Sequence, residues 1–154
     1  MRYWDASAVV ALCVDEPATA PVQDLLGTDQ GMAVWWATPG EAASAFARLR
    51  RMGAIGPGAE QTAREVLTVY RDAWTKMLPS AVLRDRAVRL LSAHDVRAAD
   101  ALQLAAAVGW AGESRAGREF VCLDERLSEA ARREGFRVLP TAITGEADRI
   151  VDQP

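Results

Sequence analysis

Short apolar, β-favouring runs at residues 2–5, 32–36, 119–123 and 136–139 alternate along this chain with longer stretches of helical character. Strands so short, with little polar alternation, are buried on both faces. The helices between them supply the crossovers of a mainly parallel sheet covered on two sides. The helical stretches read as 7–14, 18–26, 38–52, 59–75, 80–93, 96–110 and 125–134, with a short strand or turn at 76–78 before Pro79. Thr38 and Pro39 have the character of an N-cap and first helical residue, and Gly27 and Gly135 of helix stops. The expected class is α/β, one domain over 1–140 followed by an acidic, weakly patterned tail at 141–154. Ligands of such sheets bind beyond the carboxyl ends of the strands.

Composition narrows the chemistry mostly by exclusion. His94 is the sole histidine, which rules out a multi-histidine metal site or a Ser/His pair built on a second one; at a helix junction it reads as a turn residue. No GxSxG or phosphate-cradling glycine loop is present. Cys13 and Cys122 stand far apart in apolar runs and read as small buried hydrophobes in a reducing cytoplasm. Residues 6–14 mimic a signal peptide, but Asp5 interrupts the approach and Asp15-Glu16 follow directly, so a cytoplasmic protein is expected. No uncharged stretch is long enough to span a bilayer. The net charge of −3 offers no global basic field. Locally, however, arginines cluster at Arg48, Arg50 and Arg51, at Arg84, Arg86 and Arg89, and at Arg132 and Arg133, with Lys76 the only lysine. Arginine's planar fork suits phosphate.

Four carboxylates lie where apolar stretches give way to helices: Asp5, Glu41, Asp100 and Asp124. Three have a structural explanation as well. Asp5 and Asp124 can cap the helices they precede, and Thr38-Pro39-Gly40-Glu41 has capping-box spacing, in which Glu41 reaches back to the Thr38 amide. Asp95 is the better cap of the next helix, leaving Asp100 inside it among Ala98, Ala99, Ala101, Leu102, Leu104 and Ala105. That segment is apolar nearly all round, so Asp100 is expected to be buried. A buried, unpaired carboxylate is costly, and either Arg97 or a hard cation relieves it. Carboxylates that converge repel by about 4 kcal/mol per pair at 4 Å and an effective dielectric near 20. They must take up protons or hold a cation. If the sheet brings Asp5 and Asp124 together, the oxygen-only set suits one or two Mg²⁺ or Mn²⁺ ions, which can activate water against a phosphodiester.

In order and spacing, these segments resemble the PIN-domain family, and within it the VapC-type toxins of bacterial toxin–antitoxin pairs. The residues that carry the likeness are Tyr3-Trp4-Asp5-Ala6-Ser7-Ala8, Gly40-Glu41-Ala42-Ala43-Ser44-Ala45, Arg97-Ala98-Ala99-Asp100-Ala101-Leu102-Gln103, Phe120-Val121-Cys122-Leu123-Asp124-Glu125-Arg126-Leu127 and the ending Gly135-Phe136-Arg137-Val138-Leu139-Pro140. The resemblance implies a three-layer α/β/α sandwich over 1–140 and a metal-dependent ribonuclease. Asp5, Glu41, Asp100 and Asp124 would be its catalytic acids, with Asp5, Asp100 and Asp124 on Mg²⁺ or Mn²⁺ and Ser7 beside the first. It also implies an RNA substrate, a VapB-like antitoxin and a homodimer. Trp35, Trp36, Trp74 and Trp110 are candidate interface anchors, and Arg48, Arg51 and Arg97 candidate phosphate contacts. Two positions depart from the family pattern: Cys122 replaces a common Thr or Ser, and Gln103 a common His. Asp124, behind Cys122, is the least certain ligand. The alternative is a module of the same fold that binds RNA or protein without cutting. An aspartate-nucleophile phosphatase of the haloacid dehalogenase type is disfavoured, because Ser7 stands where it requires a second Asp.

Overall fold

All the short strands but the one at Thr75–Met77 carry apolar side chains toward both faces, and the computed structural model, which describes residues 1–141, builds all five into one sheet. The chain runs β1 (Arg2–Trp4), α1 (Ala6–Cys13), α2 (Thr19–Thr28), β2 (Met32–Trp35), α3 (Thr38–Arg51), α4 (Pro57–Ala73), β3 (Thr75–Met77), α5 (Ala81–Ala93), α6 (Ala98–Ala111), β4 (Glu119–Val121), α7 (Glu125–Arg133) and β5 (Arg137–Leu139). The strand order is β3-β2-β1-β4-β5 and every pairing is parallel, with Tyr3 in register with both Ala33 and Phe120. Strand order reverses direction at β1, so the crevice past its carboxyl end is where such a sheet places a ligand.

Alternation along the strands separates two cores. Tyr3, Ala33, Trp35, Phe120 and Val138 face α5, α6 and α7, packing with Leu83, Leu90, Leu104, Leu127 and Ala130. Their neighbours Trp4, Met32, Val34, Val121 and Leu139 face the other way, onto Val9, Leu12, Val22, Phe46 and Leu67 from α1 to α4. The result is the three-layer sandwich expected. Among the described residues, no helix is long and apolar enough to cross a membrane.

Several boundaries move, each for a local reason. Helix α4 ends at Ala73 rather than 75, because Trp74 turns its ring into the core and Thr75 joins the edge strand; Lys76 therefore lies in a strand. Ala37, not Thr38, is the N-cap of α3, and Thr38 is fully buried. Arg97, not Asp95, occupies the N-cap of α6. His94 is not a surface turn residue: its ring is 7% exposed and Nε2 lies 2.8 Å from Glu134 Oε1. Gly135 does stop α7, at φ 94°, with Phe136 N–H donating to Ala131 O and Gly135 N–H to Arg132 O, the paired bonds that close a helix through a left-handed residue. Apart from Thr141, the expected tail lies outside the described residues.

Phe46 is fully buried between α3 and its neighbours. Phe46→Ala is expected to cost about 3–5 kcal/mol through lost burial and the cavity left behind, measured as a lower urea midpoint at unchanged slope.

Candidate functional site

Where β1 ends, the chain must turn into α1, and the exposed amides of that first turn need an acceptor. Asp5 supplies it. At φ −73° and ψ 158° it is the N-cap of α1, and its Oδ2 accepts from Ser7 N–H at 2.9 Å and from Ser7 Oγ–H at 2.5 Å. Ser7 Oγ in turn accepts from Leu123 N–H at 2.9 Å, so a single hydroxyl fastens the carboxyl end of β1 to the loop after β4. That loop carries Asp124, the N-cap of α7, whose Oδ1 accepts from Leu127 N–H at 2.8 Å. Cys122, between them, turns its buried thiol toward Asp5 Oδ2 at 3.7 Å and Asp124 O at 3.4 Å. Burial first, and the nearby Asp5 charge second, push this thiol's pKa up, so it stays a protonated, weak donor. The hydroxyl missing at this position is thus partly replaced.

The other two acids arrive on helices. Glu41 stands in the first turn of α3, but its side chain does not close a capping box on Thr38. Instead its Oε2 accepts from Gln103 Nε2 at 2.5 Å, across to α6. Asp100 is not buried in the apolar body of α6. It lies in the first turn, partly exposed, and its Oδ2 accepts from Arg97 N–H at 3.0 Å. The apolar circumference that suggested burial belongs to later turns, whereas the first turn overhangs the sheet edge. The buried acid is Asp5, 5% exposed.

Asp5, Glu41, Asp100 and Asp124 line one cavity of about 400 Å³, together with Ser7, Gln103 and Arg48. Desolvation raises the pKa of Asp5 against the opposing hydrogen bonds from Ser7. Desolvation also raises Glu41, with the charges of Asp5 and Asp100 adding to it, to about 7 despite the bond from Gln103. Among the described residues, no group of three or more acids, cysteines or histidines stands close enough together to hold a metal ion. What the chain offers is an open set. The hydrogen bonds to Asp5, Glu41, Asp100 and Asp124 fall on one oxygen of each, leaving the other oxygen outside them. A hydrated hard ion that keeps most of its waters and takes few carboxylates fits such a set.

Of the arginines proposed to hold phosphate, Arg48 lines this cavity. Arg97 lines an adjoining groove of about 820 Å³ that shares Asp100 and Asp124 with it and adds Arg126. Arg51 is exposed and lines neither. Of the tryptophans, Trp36 is 55% exposed, Trp35 and Trp74 are core residues, and Trp110 is partly buried against Tyr3 and under Arg118. Glu16, noted in the sequence only as one of the charges that follow residues 6–14, also lines the cavity, and nothing in its local pattern marks it.

No protein-family model matches this chain, and no curated protein does. Its shape has solved counterparts. Mycobacterium tuberculosis VapC20, titled a sarcin-ricin loop cleaving toxin, matches with a TM-score of 0.63 over 84% of this chain and 95% of that one, at 15% identity. PAE2754 from Pyrobaculum aerophilum matches with a TM-score of 0.62 over 90% and 89%, at 21% identity. The fold is therefore the PIN-like α/β/α sandwich of VapC type.

The raised Glu41 makes stability fall with pH. Between the ordinary carboxylate value and about 7, the folded protein holds a proton that the unfolded chain has lost. The metal-free protein is thus expected to melt at a higher temperature at pH 5 than at pH 7.5. Glu41→Gln should shrink that difference, and calorimetric scans of both proteins at the two pH values measure it.

Proposed function

We propose that this chain is a metal-dependent endoribonuclease of VapC type, the toxin half of a toxin–antitoxin pair. The observation that carries the reading is four acids from separate segments lining one cavity at the carboxyl edge of this sheet. Asp5, Asp100 and Asp124 would hold one or two Mg²⁺ or Mn²⁺ ions. When bound, such ions supply an activated water and neutralise charge at the phosphodiester. The chain's residues do the rest. Ser7 fixes the rotamer of Asp5, and Glu41, with a proton equilibrium near neutrality, takes the proton of the attacking water. Arg48 in the cavity and Arg97 in the adjoining groove meet the RNA backbone. The water oxygen bonds to phosphorus, the P–O3′ bond breaks and the departing oxygen takes a proton from solvent, leaving 5′-phosphate and 3′-hydroxyl ends. The comparison toxin VapC20 is named for cleaving the sarcin-ricin loop, which supports a structured RNA loop as the substrate class. A VapB-like antitoxin and a second copy of this chain are the partners we assign, with exposed Trp36 as an anchor, in the cytoplasm.

Asp5→Asn and Asp100→Asn, each with an unchanged circular dichroism spectrum, are expected to abolish cleavage of RNA and relieve growth arrest on induction. Undiminished cleavage by Asp100→Asn would sink the site assignment. Titration calorimetry with Mn²⁺ separates the readings: no uptake at millimolar metal favours a module that binds RNA or protein without cutting. Arg48→Ala should weaken RNA binding and lower the slope of log affinity against log salt by about 1.

A further inference from the structure

Gln103 lies at the meeting point of three elements. It is 2% exposed, and its two flanking polar partners, Tyr3 on β1 and Thr38 on α3, are both fully buried. Tyr3 Oη–H donates to Gln103 Oε1 at 3.1 Å. Gln103 Nε2 then donates to Glu41 Oε2 at 2.5 Å and lies 3.4 Å from Thr38 Oγ1. A primary amide has one acceptor oxygen and two donor hydrogens, and here all three are spoken for. If the amide were turned over, its oxygen would face the Glu41 carboxylate, acceptor against acceptor, at 2.5 Å. The phenol that meets the carboxamide oxygen is itself held in place. Its ring stacks on Phe120 with centroids 5.3 Å apart and packs against Trp110 at 6.0 Å. Its strand is paired on both sides.

We propose that Tyr3 and Gln103 are positioning residues for Glu41: the core phenol orients the Gln103 carboxamide, which holds Glu41 Oε2 and turns Oε1 toward the cavity. One consequence is that α3 and α6, the helices bearing Glu41 and Asp100, are set in place from the interior of the protein rather than from its surface. A group held this way keeps its geometry without solvent rearrangement, and small misplacements of such groups are expensive in rate. The expectation for cleavage rests on the nuclease reading; the expectation for the amide does not.

The test uses the whole chain with Tyr3→Phe, which keeps the stacked ring and removes only the hydroxyl, and Gln103→Met, which keeps length without donors. In ¹⁵N–¹H spectra the Gln103 side-chain amide is expected to show one strongly downfield, exchange-protected proton in the native protein. That signal should lose its shift and protection in both Tyr3→Phe and Glu41→Gln. An amide signal unchanged in Tyr3→Phe overturns the proposal whatever the protein's activity. In cleavage, Tyr3→Phe should lower kcat about tenfold with KM changed much less, a rate loss within reach of a misplaced group. In a Glu41→Gln background the same change should add almost nothing, because the effect travels through Glu41. Multiplying effects would mean that Tyr3 serves stability alone. If Tyr3→Phe does not fold, the same cycle with Gln103→Met decides.

Discussion

The arrangement depends on one buried carboxylate being held where β1 runs out. Asp5 is nearly withdrawn from water there, so its charge has to be met by oriented donors, and Ser7 gives two from one residue. Because the same hydroxyl accepts from Leu123, the bond that settles Asp5 also fixes the spacing of β1 and β4 at their carboxyl ends. Those are the strands between which the reversal in sheet order opens a crevice. Fold and site are in this sense one construction. The hydrogen bonds that start the helices also aim the acids.

Much of this was legible in the amino-acid sequence, and what was not follows a pattern. Several local signals held: the apolar runs became strands, Asp5 and Asp124 became caps, and Gly135 stopped its helix, whereas Gly27 lies inside α2 and Ala37 rather than Thr38 caps α3. Signals that require knowing where a helix begins in space did not. Asp100 looked buried because its helix is apolar around its circumference, yet its own turn overhangs the sheet edge and Arg97 N–H meets it. His94 does lie at the turn between α5 and α6, but its side chain is covered because its partner, Glu134, is distant in sequence. Glu41 has capping-box spacing but bonds across to Gln103 instead. For His94 and Glu41 the deciding contact comes from a segment distant in sequence, whereas for Asp100 it is local but depends on where the helix starts.

The electrostatics show what the arrangement gives up. Asp5 and Glu41 are both driven toward protonation by burial, and Glu41 feels Asp5 and Asp100 as well. A protein selected only for stability would have neutral residues at these positions. The unfavourable charges persist together, on segments far apart in sequence, at a crevice lined by Arg48. Unfavourable charge concentrated in one place is what marks this crevice as the candidate site.

The doubling of the acids as helix caps has an evolutionary consequence. Asparagine caps a helix as well as aspartate does. At Asp5 and Asp124 the chain is therefore one base change from a form that has lost its charge while keeping the hydrogen bonds that start α1 and α7. Charge at this crevice is therefore separable from folding, and its loss would leave the rest of the surface intact.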